Sequence, residues 1–139
     1  MDKSKSTVDA ETLRTWLENG DPIFVLDIRP SSQREEWQIP GSHYLDAYKR
    51  LNEGDKSVLD EIEIPENAKV VTVCAAGRTS QIAAEALREK GFDACSLEGG
   101  MKAWSKAWNI AQKLFPDFEV LQVRRTGKGC LSYIVYSDN

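Results

Sequence analysis

Two short apolar runs, Ile23-Phe24-Val25-Leu26 and Val70-Val71-Thr72-Val73, constrain this chain more than any other feature. A strand with one face in water alternates apolar and polar side chains. A run that stays apolar at successive positions is buried on both faces, as in a parallel sheet. Parallel strands need crossovers, usually helices, and helical patterns lie beside both runs. Leu13, Trp16 and Leu17 fall at i, i+3 and i+4 behind Asp9, an N-cap residue type, and Asn19-Gly20-Asp21-Pro22 ends that helix after about Glu18. Thr79 or Ser80 is expected to cap a second helix reaching Lys90, with Ile82, Ala83, Ala86 and Leu87 inward and Gly91 as its left-handed terminator. Residues 93–97 read as a third strand and Glu98-Gly99-Gly100 as a turn. Met101, Trp104 and Trp108 line one face of a further helix. Between the two apolar runs, 30–40 is expected to be irregular or briefly helical, 42–45 a short strand and 46–52 a short helix. The alternation predicts an α/β fold, with a central, mostly parallel sheet and helices on both faces.

The chain has 139 residues, enough for a hydrophobic core without disulfide or metal staples. Residues 1–108 are expected to form the α/β domain, and 109–139 a connector and tail. In the tail, 109–118 reads as connector, 119–124 and 130–136 as strands, and Thr126-Gly127-Lys128-Gly129 as the turn of a β-hairpin. A net charge of −4 argues against a nucleic-acid binder. No run approaches the ~18 apolar residues of a membrane span. Three cysteines (Cys74, Cys95 and Cys130) are no disulfide framework and suit a reducing, cytoplasmic setting. One histidine, His43, and scattered cysteines make a catalytic zinc site unexpected, and no cofactor is implied.

Ligand crevices in open α/β sheets lie beyond the carboxyl ends of the strands, where both Asp27 and Cys74 stand. A thiol attacks as its thiolate. Cys74 follows a strand and precedes a helix, whose N-terminal amides and dipole favour an anion. Ala75, Ala76 and Gly77 are small enough to let backbone N–H groups turn inward as an anion nest, and Arg78 adds positive charge. A bare cysteine ending a strand is usually only packing; this loop context argues otherwise.

The segment Val73-Cys74-Ala75-Ala76-Gly77-Arg78-Thr79-Ser80 resembles the active-site loop of the rhodanese family. Leu97-Glu98-Gly99-Gly100-Met101-Lys102-Ala103-Trp104 resembles that family's closing motif. Val25-Leu26-Asp27-Ile28-Arg29 and Ile39-Pro40-Gly41-Ser42 are similar to its early signatures. The four motifs occur in the family's order over about residues 8–108. The resemblance implies the three-layer rhodanese fold and a sulfurtransferase. Cys74 would take a sulfane sulfur from a small anionic donor such as thiosulfate, carry it as a persulfide, and pass it to a thiol, cyanide or protein acceptor. Residues 75–80 (Ala75, Ala76, Gly77, Arg78, Thr79, Ser80) would hold the substrate. The sequence departs from the pattern in Thr79, where family members commonly have arginine, and in Trp37-Gln38, where Gly-His is usual.

Two other readings remain: a non-catalytic sulfur carrier or interaction module of the same fold, and a cysteine phosphatase or arsenate reductase. The last would need an arginine at position 80, which is serine. Asp27 and Arg29 are expected to brace the loop as an ion pair, with a weak surface pair as the alternative. Glu98 reads as a solvated turn residue, His43 as rim or core, Trp104 and Trp108 as core, and Cys95 as inert packing. Cys130 reads as part of the hairpin. The tail segments 120–125 and 129–135 resemble the opening strands of metallo-β-lactamase-fold hydrolases, some of which follow a rhodanese domain. The chain stops before any histidine-rich metal motif, so the tail reads as that of a fragment, a truncated relative or a free-standing protein. Val120, Leu121, Val123, Leu131, Ile134 and Val135 would leave an apolar patch, for which a homodimer through the tails is expected.

Overall fold

The computed structural model describes residues 6–107, 109–125 and 130–137. Its first part is a five-stranded parallel sheet of order β1-β5-β4-β2-β3. The strands are β1 (Thr7–Val8), β2 (Ile23–Asp27), β3 (His43–Tyr44), β4 (Lys69–Val73) and β5 (Asp93–Leu97). The helices are α1 (Ala10–Glu18), α2 (Ser31–Glu36), α3 (Tyr48–Asn52), α4 (Thr79–Glu89) and α5 (Gly100–Lys106), with a 3₁₀ turn at Lys56–Glu61. The apolar runs occupy the two central strands. Four of the five residues of β2 and of β4 are buried, the pattern that demanded cover on both faces.

That cover comes as two cores. One face packs Phe24, Leu26, Val70 and Ala94 against Leu51 of α3, Val58 and Leu59 of the 3₁₀ turn, and Ala83 and Leu87 of α4. The other packs Val25, Val71, Val73, Cys95 and Leu97 against Leu13 of α1 and Met101 and Trp104 of α5. Successive strand residues serve opposite cores because side chains alternate along a strand. Asp9 caps α1 by accepting the Thr12 N–H at 2.7 Å, and Gly91 has the left-handed φ of +97°.

Two short elements escaped the sequence reading. β1 is too brief to show a period, and it exists because β5 offers it a parallel edge, with Ser96 N–H bonding Ser6 O at 2.9 Å. The 3₁₀ turn is capped by Asp55, which accepts from Ser57 N–H.

Two expectations are corrected. The cap of α4 is Arg78, with no side-chain capping bond; Thr79 and Ser80 lie inside the first turn, because their hydroxyls are used elsewhere. Residues 109–118 are not a plain connector, since Asn109–Leu114 forms β6. The expected hairpin is present as β7 (Glu119–Arg125) and β8 (Cys130–Tyr136), and β6 extends it to a three-stranded antiparallel meander. The extra strand satisfies the backbone of a lone hairpin, which is marginal in water. It is anchored by a two-way backbone bridge between Gln38 and Gln112, 2.9 Å each way, and by the Trp104 indole N–H donating to Ile110 O at 3.1 Å. Trp108, the 126–129 turn and the Cys130 and Leu131 side chains fall outside the described residues. Of the expected apolar patch, Ile134 and Val135 are open to solvent at 52% and 63% exposure, whereas Val120, Leu121 and Val123 are half-buried. Among the described residues no helix is long and apolar enough to cross a membrane.

Candidate active site

Asp27 and Arg29 form an ion pair that is not on the surface, since each is 2% exposed. Asp27 accepts from Arg29 Nε and Nη2 at 2.9 and 2.7 Å, and from Arg34 Nη1 at 3.2 Å. Arg29 Nη2 also donates to Trp37 O, while Arg34 donates to the Ser42 hydroxyl and carbonyl. The group thus ties the end of β2 to the 37–42 loop. A buried charge pair is tolerable only when its polar atoms are satisfied in this way. Arg34 was not singled out from the sequence; an i+7 spacing from Asp27 across a loop carries no pattern to read. Tyr44, beside Asp27 in the sheet, has its phenol pushed up to about 12, first by burial and then by the Asp46 and Asp27 charges.

Cys74 immediately follows β4 and is 2% exposed. Its sulfur sits inside a turn of backbone. The Gly77 N–H donates to Sγ at 3.1 Å and the Ser80 N–H at 3.4 Å. The thiol in turn donates to Ser80 Oγ at 3.3 Å. The loop's carbonyls face the other way, Cys74 O accepting from Met101 N–H at 2.8 Å and Ala75 O from Lys102 N–H at 3.0 Å. The first turn of α5 therefore takes the loop's acceptors and leaves its donors to the sulfur. Two backbone N–H groups converging on one atom are an anion-binding arrangement.

This approach of two backbones explains the paired glycines. Gly100 has φ +57°, and a Cβ there would lie 2.3 Å from Cys74 O and 2.8 Å from Gly77 N. Gly77 has φ +89°, and a Cβ on it would meet Gly99 N at 2.8 Å. A methyl group on either side would push the loop from the helix.

The remaining sequence candidates divide. Ala75 and Ala76 line the loop's outer side, half-buried and exposed respectively. Arg78 is exposed, and its side chain makes no capping bond. Thr79 is buried, and its hydroxyl donates to Asn52 Oδ1 at 3.1 Å, linking the loop to the end of α3. Ser80 is fully buried against Sγ; a hydroxyl stands where a phosphatase would place its guanidinium. Two buried hydroxyls were missed. Ser96 Oγ lies 2.6 Å from Ser80 Oγ, and Thr72 Oγ1 donates to Ser80 O at 2.6 Å. The available signal was polar residues at both-face-buried strand positions. His43 is exposed and stacks on Phe24, 4.0 Å between ring centroids, and Glu98 is exposed. Cys95 is buried and its thiol is pushed up by that burial, so it is a poor nucleophile. No group of side chains suited to a metal is found among the described residues. A cavity of about 640 Å³ lies away from Cys74, lined by Trp16, Lys69, Arg88, Phe92 and Cys95 among others.

Fold and loop together define a class, and comparison with known proteins names it. The rhodanese-like domain family matches residues 9–107, and the chain belongs to that family. The thiosulfate sulfurtransferase GlpE of Pseudoalteromonas translucida is 33% identical over 101 residues, 72% of this chain and 88% of that protein. The probable adenylyltransferase/sulfurtransferase MoeZ of Mycobacterium tuberculosis is 29% identical over 102 residues, 73% of this chain, which spans 25% of that protein's length. The putative sulfur carrier protein YrkF of Bacillus subtilis is 24% identical over 70% of this chain and 50% of its own. Among solved structures, a rhodanese-like domain protein from Staphylococcus aureus superposes with a TM-score of 0.60 at 25% identity, covering 71% of this chain and 90% of its own. The rhodanese-like domain of Anabaena sp. Alr3790 shares the fold over 97% of this chain and 94% of its own, with a TM-score of 0.62 at 22% identity. The family match ends at residue 107, so the tail's likeness to hydrolase strands finds no support there.

Gly100→Ala is expected to destabilise the protein by about 1–3 kcal/mol from backbone strain alone, and more from the clash with Cys74 O. Urea unfolding with circular dichroism checks this; an unchanged midpoint would mean that the loop and α5 are not held in backbone contact.

Proposed function

We propose that this chain is a sulfurtransferase with Cys74 as its nucleophile and sulfur carrier. The observation that carries the reading is the convergence of the Gly77 and Ser80 amides on Cys74 Sγ at the carboxyl end of the sheet. Those donors favour negative charge on sulfur. In the first step the Cys74 thiolate attacks the outer sulfur of a donor such as thiosulfate. An Sγ–S bond forms, the donor's S–S bond breaks, and sulfite departs with the electron pair. In the second step a thiolate or cyanide attacks the outer sulfur of the persulfide, and Cys74 leaves as thiolate. Each step breaks one sulfur–sulfur bond and forms one new bond to the transferred sulfur (to sulfur with a thiolate, to carbon with cyanide), so no external oxidant is needed, which is covalent catalysis in two displacements. Arg78, exposed beside the loop, is positioned to favour an anionic donor. Similarity to GlpE supports thiosulfate as donor, and three cysteines without a disulfide spacing support a cytoplasmic location.

A second reading has its own support. Thr79 takes the place of the commonly found arginine and is committed to Asn52, leaving one fewer cation at the loop, and YrkF is named a putative sulfur carrier. A carrier would form the persulfide and release it only to a partner protein.

We also propose that the tails of two copies associate. β8 is an edge strand of seven residues without a charged side chain, and its described side chains are exposed. Natural edges are usually blunted by charge or proline. Antiparallel pairing of β8 with its copy about a two-fold axis opposes no like charges and gives the closed symmetry commonest among oligomers.

Cys74→Ser is expected to abolish thiocyanate formation from thiosulfate and cyanide with the fold intact. Arg78→Ala is expected to raise the apparent KM for thiosulfate. Thiocyanate production by the serine variant would refute the nucleophile; single turnover by the wild type would favour the carrier. For the tail, light scattering should show a dimer for the full chain and a monomer for a version carrying Ile134→Lys and Val135→Lys; a monomeric full chain removes the dimer.

A further inference from the structure

Ser96 lies on β5, far in sequence from the Cys74 loop, yet it closes a hydrogen-bonded row that begins at the sulfur. Cys74 Sγ is 3.3 Å from Ser80 Oγ, and Ser80 Oγ is 2.6 Å from Ser96 Oγ. Both serines are fully buried, so no solvent completes the row. Its frame is rigid. Thr72, the register partner of Ser96 on β4, spends its hydroxyl on Ser80 O and Cys95 O, which pins the first turn of α4 above the sheet. Among the described residues the Ser96 hydroxyl bonds Ser80 alone.

Counting hydrogens in this row gives a direction. With a neutral thiol there are three hydrogens and only two links. The thiol donates to Ser80, Ser80 donates to Ser96, and the Ser96 hydrogen is left over in a buried place. With an anionic sulfur there are two hydrogens and two links. Ser96 donates to Ser80, Ser80 donates to sulfur, and every hydrogen is used. A buried donor without a partner is costly, and links in such a row strengthen one another. The row therefore has every hydrogen bonded only when the sulfur is anionic.

We propose that Ser96 is a positioning residue for the chemistry at Cys74: its hydroxyl donates to Ser80, so that the Ser80 hydroxyl is free to donate to the anionic sulfur. The row acts at the two moments when Sγ carries negative charge, before attack on the donor and on leaving the persulfide. This rests on Cys74 being the nucleophile. Ser96 itself touches neither sulfur nor substrate.

The test compares Ser96→Ala, which removes the hydroxyl, with Ser96→Thr, which keeps it. Two readouts are taken: alkylation of the Cys74 peptide by iodoacetamide at pH 7, followed by mass spectrometry, and steady-state transfer from thiosulfate to cyanide. Ser96→Ala is expected to slow alkylation about threefold to tenfold and to lower kcat by a similar factor with KM for thiosulfate unchanged; Ser96→Thr restores both. Alkylation of native-like Ser96→Ala at the wild-type rate overturns the proposal, as does failure of Ser96→Thr to restore it while folded. If Ser96→Ala does not fold, Ser96→Cys replaces it. That variant keeps the volume with a weak donor; slowed alkylation then supports the proposal, and the wild-type rate overturns it. The alkylation readout needs no transfer activity. A wild type that alkylates at Cys74 but transfers no sulfur would sink the sulfurtransferase reading while leaving this test in force.

Discussion

The packing of one backbone on another, with no side chain between, is what the rest of the site depends on. Gly100 lies so close to Cys74 O that no Cβ fits, and Gly77 meets Gly99 in the same way. The contact lets the amides of Met101 and Lys102 take the carbonyls of Cys74 and Ala75. Those two carbonyls face α5, and on the other side the Gly77 and Ser80 amides donate to Sγ. The motif of small residues after Cys74 and the glycine pair after β5 are thus two halves of one device.

Around that device the sheet supplies rigidity. β4 and β5 hold Thr72 and Ser96 in register, and these reach the first turn of α4 from below. On the far side the Asp27–Arg29–Arg34 group fixes the loop after β2. Its worth lies in joining segments that would otherwise drift, because a buried ion pair contributes little net stability once its desolvation is counted. The two buried cysteines of the sheet differ in their hydrogen bonding. Cys74, just after its strand, has the Gly77 and Ser80 amides on its sulfur although it too borders an apolar core, whereas Cys95 lies within its strand and burial raises its thiol.

Much of this was legible in the sequence. The unbroken apolar runs at 23–26 and 70–73 required a doubly covered parallel sheet, and the loop after the second run pointed to an anion site at Cys74. What was not legible depended on tertiary neighbours. Thr7–Val8 is a strand only because β5 has a free edge. Thr79 and Ser80 look like helix caps, but their hydroxyls are drawn to Asn52 and to the sulfur. β6 mixes Gln and Lys with its apolar residues, and its strand character comes from pairing with β7 and from the Gln38–Gln112 bridge. Ser96 looked like any strand residue until the fold set it 2.6 Å from Ser80 Oγ.

The central claim is that the Cys74 cradle accepts and holds a sulfane sulfur. Mass spectrometry of the intact protein and of its Cys74 peptide, after incubation with thiosulfate and removal of excess donor, tests it most directly. A sulfane sulfur held on Cys74 gives a mass increase of one sulfur atom confined to the Cys74 peptide and reversed by cyanide. An unmodified Cys74, or sulfur retained on Cys95 instead, would contradict it.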